Sequence, residues 1–254
     1  MSNSKHSVVI IGGGPAGLMA AEVLSDKGLQ VDLYDAMPSV GRKFLLAGKG
    51  GLNLTHSESA DHFVTRYGNR QAQIAPMLDE AKGGFSAAQI REWAAGLGID
   101  TFVGTSGRVF PKDMKAAPLL RAWLHRLRAS GVRFHMRHKW TGWNAAGELT
   151  FDVKDGLEAT SSKAYSSAIL ALGGASWKRL GSDGAWVPML ESRGVDLAPL
   201  VPSNCGFDVA VPWSEHFKSR FAGQPLKTVA INGKRGEFVI TGSLITSKFP
   251  NAGD

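Results

Sequence analysis

The chain has little of what covalent or metal-bound frameworks need. Cys205 is the one cysteine among 254 residues, so no disulfide can close within the chain. A four-cysteine zinc site and a Cys-x-x-Cys redox pair are excluded on the same ground. Scarce cysteine suits a reducing compartment, and a cytoplasmic location is expected. No apolar run approaches the roughly 18 residues of a membrane-crossing helix, so no membrane partner is expected. The stretch from Val8 to Ala21, preceded by Lys5, has the length of a secretory signal. Its interruption by Gly12-Gly13-Gly14-Pro15 breaks the apolar helix that such a signal requires. Hydrophobic residues are 43% and charged residues 20% of the chain, which excludes intrinsic disorder. There is no internal repeat and no low-complexity tract.

Glycine is what the chain has in excess. Its 31 glycines are about 12% of the residues, against an average near 7%. They follow no three-residue period, which rules out a collagen-like chain. Instead they cluster at Gly12–Gly17, Gly48–Gly51 and Gly173–Gly174, as backbone that must approach something closely. Positive charge is also uneven. Nine basic residues and one acid, Asp113, lie between Arg108 and Lys139, so that segment carries +8 and the remainder −1 of the net +7. Its ordinary reading is a solvated helix face and an edge strand. The alternative is a surface for an anion, a dinucleotide or a nucleic acid.

Apolar periodicity places the elements. Ser7–Ile11 reads as a buried strand, Ala16–Lys27 as a helix closed by Gly28, and Gln30–Tyr34 as a second strand. Gly41–His56 reads as a functional loop around a short helix. Ser86 and Gln89 have capping-box spacing and open a helix through about Leu97. Pro118–Ser130 reads as a helix closed by Gly131, and Val132–His138 as the next strand. Two strands near Leu149–Val153 and Ala159–Tyr165, around a turn at Asp155-Gly156, read as a small antiparallel insert. Ala168–Leu172 is another buried strand. Beyond about Glu191, Pro199, Pro202, Pro212 and Pro225 punctuate short apolar runs, as in a β-rich second domain. The boundaries expected are therefore 1–190 and 191–254.

Gly12-x-Gly14-x-x-Gly17 follows the first strand and opens the first helix. Gly12 permits a tight turn, Gly14 leaves room for a pyrophosphate, and Gly17 lets helix and strand pack closely. The pyrophosphate would lie at the helix N-terminus, with Gly13, Pro15 and Ala16 completing the turn. Asp35, 18 residues past Gly17 at the end of the second strand, stands where a carboxylate accepts from an adenosine ribose. That acid disfavours a 2′-phosphate. FAD and NAD both use the fingerprint; the antiparallel insert and the Gly173-Gly174 turn favour FAD.

Five segments then resemble a known family: Val8–Gly17, Gly41–His56, Gly107–Arg121, Ala168–Gly184 and Asn204–Asp208. They are similar to the glutathione-reductase-type FAD domain, and more closely to the BaiN-like (RdsA-like) NAD(P)/FAD-dependent flavoproteins. The resemblance implies an α/β domain with a parallel sheet, helices and a small antiparallel insert, followed by an incomplete β-rich second domain. It implies an extended FAD, with Gly12, Gly14 and Gly17 at the pyrophosphate and Asp35 at the ribose. Arg42 and Lys43 would lie by the phosphates or ribityl chain, Gly50, Gly51 and Asn53 by the isoalloxazine, and Gly173 and Gly174 over the cofactor. Arg133 falls on the strand that offers groups to adenine. The implied activity is hydride transfer from reduced flavin to a polarised C=C bond, with NAD(P)H as transient reductant. The implied substrate is an RNA or a small unsaturated acid. No proton donor is assigned: Arg108, Lys112 and His56 are candidates, each also readable as a surface charge or phosphate contact. Cys205 reads as a small buried hydrophobe. Family members are longer, and the match fades after Ile240. The alternative is thus a C-terminally truncated, inactive fragment that still binds FAD.

Overall fold

A computed structural model describes residues 7–47, 50–154, 159–201, 213–221, 225–232 and 239–245. In chain order the strands and helices are β1 (Ser7–Ile11), α1 (Pro15–Asp26), β2 (Gln30–Asp35), α2 (Arg42–Ala47), β3 (Thr55–His56), α3 (Ala60–Thr65), α4 (Gln71–Leu78), α5 (Ala87–Gly96), β4 (Thr101–Val103), β5 (Arg108–Pro111), α6 (Ala116–Ala129) and β6 (Arg133–Met136). They continue as β7 (His138–Trp143), β8 (Leu149–Val153), β9 (Thr160–Lys163), β10 (Ser167–Leu170), α7 (Val187–Glu191), α8 (Glu215–Phe221), β11 (Pro225–Asn232) and β12 (Val239–Ile245).

The central sheet has the order β10-β1-β2-β6, and every pair is parallel. β1 lies between two neighbours and is covered on both faces, which is why it is an unbroken apolar run rather than an alternating one. Its residues divide between two cores. Ile10, with Val31 and Leu33 of β2, packs against α1, α5 and α6 through Leu18, Ala21, Ala94, Leu119, Trp123 and Leu127. Val9 and Ile11 face the other way, onto Trp140, Leu149 and Phe151 of the antiparallel sheet β7-β8-β9. Helices thus cover one face of the parallel sheet and a β-sheet the other. This is the α/β architecture, with its antiparallel insert, that the sequence implied.

Several elements differ from the sequence reading in instructive ways. The strand expected over Val132–His138 is two strands, because Arg137 adopts φ 63° and turns the chain out of the parallel sheet. The insert accordingly has three strands rather than two. The helix expected from Pro118 begins at Ala116, leaving Pro118 in the first turn, where its missing N–H costs nothing. The capping box is complete: Ser86 Oγ accepts from Gln89 N at 3.2 Å, and Gln89 Oε1 accepts from Ser86 N at 3.0 Å. The small sheet β3-β5-β4 and the helices α3 and α4 were not anticipated. The Asp155-Gly156 turn and Cys205 lie outside the described residues.

Buried polar groups join these layers. Glu22 of α1 accepts from Trp93 Nε1 of α5 at 3.0 Å and from Trp123 Nε1 of α6 at 2.5 Å, and pairs with Arg126 at 2.7 Å. Asp32 of β2 accepts from Arg133 at 2.8 and 2.5 Å and bonds His135 at 2.7 Å. On the surface, Lys112 pairs with Asp100 at 2.9 Å. Part of the basic segment is therefore spent on carboxylates elsewhere in the fold.

The chain divides into two compact units, residues 1–200 and 201–254. The second contains α8 and the antiparallel hairpin β11-β12, with Pro225 opposite Ile245 and Asn232 opposite Val239.

Candidate dinucleotide site

A cleft opens at the C-terminal ends of β1, β2 and β10, where ligands of parallel α/β sheets bind. Its floor is the glycine turn. Gly12 has φ 109°, and a Cβ there would lie 2.2 Å from the carbonyl oxygen of Ala171. Its N–H donates to Tyr34 O at 2.8 Å. A Cβ on Gly17 would lie 1.9 Å from Gly12 O, so the helix can seat on the turn only as glycine. Gly14 is different: a Cβ there meets nothing within 4 Å. It is the N-cap of α1, and no side chain among the described residues caps that end. The uncapped N–H groups and the positive end of the helix dipole therefore face open space, as an anion site requires.

Asp35 ends β2 beside this turn. Its Oδ2 accepts from Gly13 N at 2.6 Å and its Oδ1 from Met37 N at 2.7 Å. A carboxylate has about four lone-pair sites, so each oxygen keeps one for a ribose hydroxyl. Burial raises the Asp35 carboxyl above its ordinary pKa, against the lowering effect of the two amides and of Arg42. Tyr34, also lining the cleft, is stacked between His135 at 4.3 Å and Phe151 at 4.4 Å. Burial, and then the charge of Asp32, push its phenol up to about 12, so it lines the site as a neutral group.

Two cations face the turn. Arg42 Nε is buried and has no hydrogen-bond partner among the described residues. Lys43 Nζ donates to Ser176 Oγ at 3.0 Å and to Ser182 Oγ at 3.2 Å, and pairs with no carboxylate among the described residues. A buried guanidinium nitrogen left unbonded is costly, and a phosphate oxygen would satisfy it. Around the whole cleft, five cations (Arg42, Lys43, Lys139, Lys154, Lys178) face two carboxylates, Asp35 and Asp183. The open helix end, the orphaned Arg42 Nε and the free lone pairs of Asp35 all suit a dinucleotide. The cavity volume is about 280 Å³, at the lower end of ligand pockets.

The structure sorts the expected residues. Gly12, Gly13, Gly14, Asp35, Arg42, Lys43 and Gly173 line the cleft together. Pro15, Ala16 and Gly17 shape the first turn of α1 without lining it. Gly174 lies just outside, next to Gly173, whose carbonyl accepts from Trp186 Nε1 at 3.1 Å. Gly50, Gly51 and Asn53 are also outside; Gly51, at φ 110°, sits against Met114. Arg133 lies away from the cleft, since it opens β6 beside Asp32 whereas the site is at the strands' other ends. Of the proton-donor candidates, His56 is held by Ser106 O and Glu58 N, and Lys112 by Asp100; neither they nor Arg108 line the cleft. His138, Lys139, Lys154, Ser182 and Trp186 line it without having been singled out for it. They arrive through β7, β8 and the loop after β10; Lys139 closes the basic segment and Ser182 lies in the Ala168–Gly184 segment, whereas no sequence motif marks Lys154 or Trp186.

Comparison with known proteins agrees with this geometry. The family model described as the HI0933-like protein Rossmann domain matches residues 6–246. A 3-dehydro-bile acid delta(4,6)-reductase of Clostridium scindens is 29% identical over 200 residues, which are 78% of this chain and 46% of the reductase. A thiamine thiazole synthase of Methanococcus aeolicus is 33% identical over 98 residues, 39% of this chain and 35% of the synthase. Among solved structures, a 3-ketosteroid-delta4-(5alpha)-dehydrogenase from Rhodococcus jostii RHA1 aligns with TM-score 0.54 at 15% identity, over 77% of this chain and 56% of its own. A flavocytochrome c3 fumarate reductase aligns with TM-score 0.54 at 16% identity, over 75% and 41%. At those identities the structural likenesses establish fold alone. The chain spans about half the length of the curated reductase it matches. No helix among the described residues is long and apolar enough to cross a membrane.

Proposed function

Because the chain belongs to the HI0933-like Rossmann-domain family, whose cofactor is FAD, we propose that it uses bound flavin to reduce a polarised C=C bond, with NADH or NADPH as transient reductant. The observation that carries the reading is the uncapped, glycine-lined N-terminus of α1 in a cleft that Arg42 and Lys43 also line. The double-bond reading draws support from the reductase relative, whose name describes chemistry of that class. A small unsaturated acid is accordingly favoured as substrate; an RNA substrate has no separate support in the site.

In this reading the flavin, when bound, supplies the hydride chemistry. The protein's residues bind and orient it. The α1 N-terminus and Arg42 would hold the pyrophosphate, Lys43 would add a further positive group, and Asp35 would accept from the ribose. Gly173 and Trp186 close the opposite wall. Gly50, Gly51 and Asn53 keep their proposed place toward the isoalloxazine end, and Gly174 beside Gly173. The proton that a C=C reduction needs is assigned to no residue.

The test is to purify the whole chain, titrate it with FAD by flavin fluorescence, and add NADH or NADPH without oxygen. Saturable FAD uptake followed by bleaching of the flavin absorbance is expected. A protein that takes up no FAD ends the reading. Bound FAD that neither nucleotide reduces ends the nicotinamide part and favours an FAD-binding chain without turnover.

A further inference from the structure

In the sheet, β6 is the neighbour of β2 on the side away from β1. With the pyrophosphate at α1, past β1, and the ribose at Asp35, past β2, a base continuing in the same direction would reach the end of β6. There the chain turns at Arg137 and presents His138, the first residue of β7, to the cleft. His138 Nδ1 lies 2.8 Å from Met136 O. A carbonyl oxygen only accepts, so Nδ1 carries the proton, and in the neutral ring Nε2 is a bare lone pair. Nε2 has no hydrogen-bond partner among the described residues. The ring is fixed edge-on against Tyr34 at 5.5 Å and Phe151 at 6.1 Å, so the acceptor is held in place rather than free to swing. Lys139 and Lys154 line the same end of the cleft, but ammonium groups only donate. They serve ring nitrogens of any purine, while His138 offers what an exocyclic amine needs.

We propose that His138 is a specificity-determining residue, its Nε2 accepting a hydrogen bond from the 6-amino group of adenine. The cleft then selects a 6-aminopurine dinucleotide over a 6-oxopurine one. An oxo group would set a second acceptor against the lone pair, and that contact would lose its hydrogen bond. The inference rests on the dinucleotide reading above and adds the base that is read and the atom that reads it.

The experiment compares FAD with its inosine analogue, which differs only in a 6-oxo group, by fluorescence titration of the full chain at pH 8. The wild type is expected to prefer FAD by about tenfold or more, as for a site that loses one buried hydrogen bond. His138→Phe keeps an aromatic ring for the edge contacts and removes the lone pair, and should shrink the preference to within about twofold. His138→Gln retains a carbonyl acceptor and should restore most of it. Equal binding of the two dinucleotides by the wild type overturns the inference and leaves the FAD reading intact. So does a His138→Phe protein that still prefers FAD. Failure to bind either dinucleotide removes both readings. Should His138→Phe not fold, the wild-type ratio and His138→Gln decide the matter.

Discussion

At the scale of single residues, the three fingerprint glycines have different duties, and substitution separates them. Gly12 and Gly17 are required by the fold: an added Cβ at either would overlap a backbone carbonyl oxygen. Gly14 has ordinary φ and empty space before it. Gly12→Ala should therefore destabilise the protein by at least about 2–3 kcal/mol, from strain and overlap together. Gly14→Ala should leave the melting temperature unchanged or slightly raised, while weakening FAD binding at least tenfold. Melting curves and FAD titrations of both variants check this; equal loss of stability in the two would contradict it. The position of the glycines and Asp35 around one turn was legible in the sequence because it is local, set by the strand and helix they join. Arg133 was not placed by sequence: a strand was expected over Val132–His138, but Arg133 opens the shorter β6, at the end away from the cleft. In a parallel sheet only the C-terminal ends reach the ligand, and a residue three positions too early meets Asp32 instead. His138 was invisible as a site residue because nothing nearby in sequence announces the left-handed turn at Arg137 that exposes it.

At the scale of elements, the helical layer is held by one carboxylate as well as by apolar packing. Glu22 gathers α1, α5 and α6 through two indole N–H groups and a guanidinium. Replacing it with leucine leaves those donors without an acceptor in a largely dry interface. The cost should be about 2–4 kcal/mol, visible as a lower urea midpoint, with FAD affinity in the folded protein little changed. A Glu22→Leu protein as stable as the wild type would show that packing alone holds the layer. The helices themselves were readable from period and caps, as the complete Ser86–Gln89 box shows. The third strand of the insert was not, because Val132–His138 is a single β-rich run in sequence and only Arg137 divides it.

At the scale of the whole molecule, Asp32 joins the parallel sheet to the layer behind it. It binds Arg133 and His135 of β6 and lies 3.8 Å from Lys163 of β9. Burial alone would raise its pKa, but the hydrogen bonds and charges of Arg133 and His135 outweigh burial and hold the carboxyl below its usual range. A carboxyl lowered in the folded state stabilises the fold above its unfolded pKa, near 4, and that contribution is lost as pH falls further. Wild type should lose more thermal stability than Asp32→Asn between pH 5 and pH 3. Parallel melting profiles across that range would refute the linkage. A second long-range feature bears on synthesis. β1, the strand that carries the nucleotide turn, is flanked on one side by β2, which follows at once, and on the other by β10, whose Ser167 pairs with Val8. The wall against which Gly12 closes is therefore the last part of the parallel sheet to be made. At ~5–20 residues per second, a nascent chain spends on the order of ten seconds with β1 complete and its far edge bare. During that interval an apolar strand edge is open to mispairing, so yield from the ribosome should depend on chaperone supply more than the stability of the finished protein would suggest.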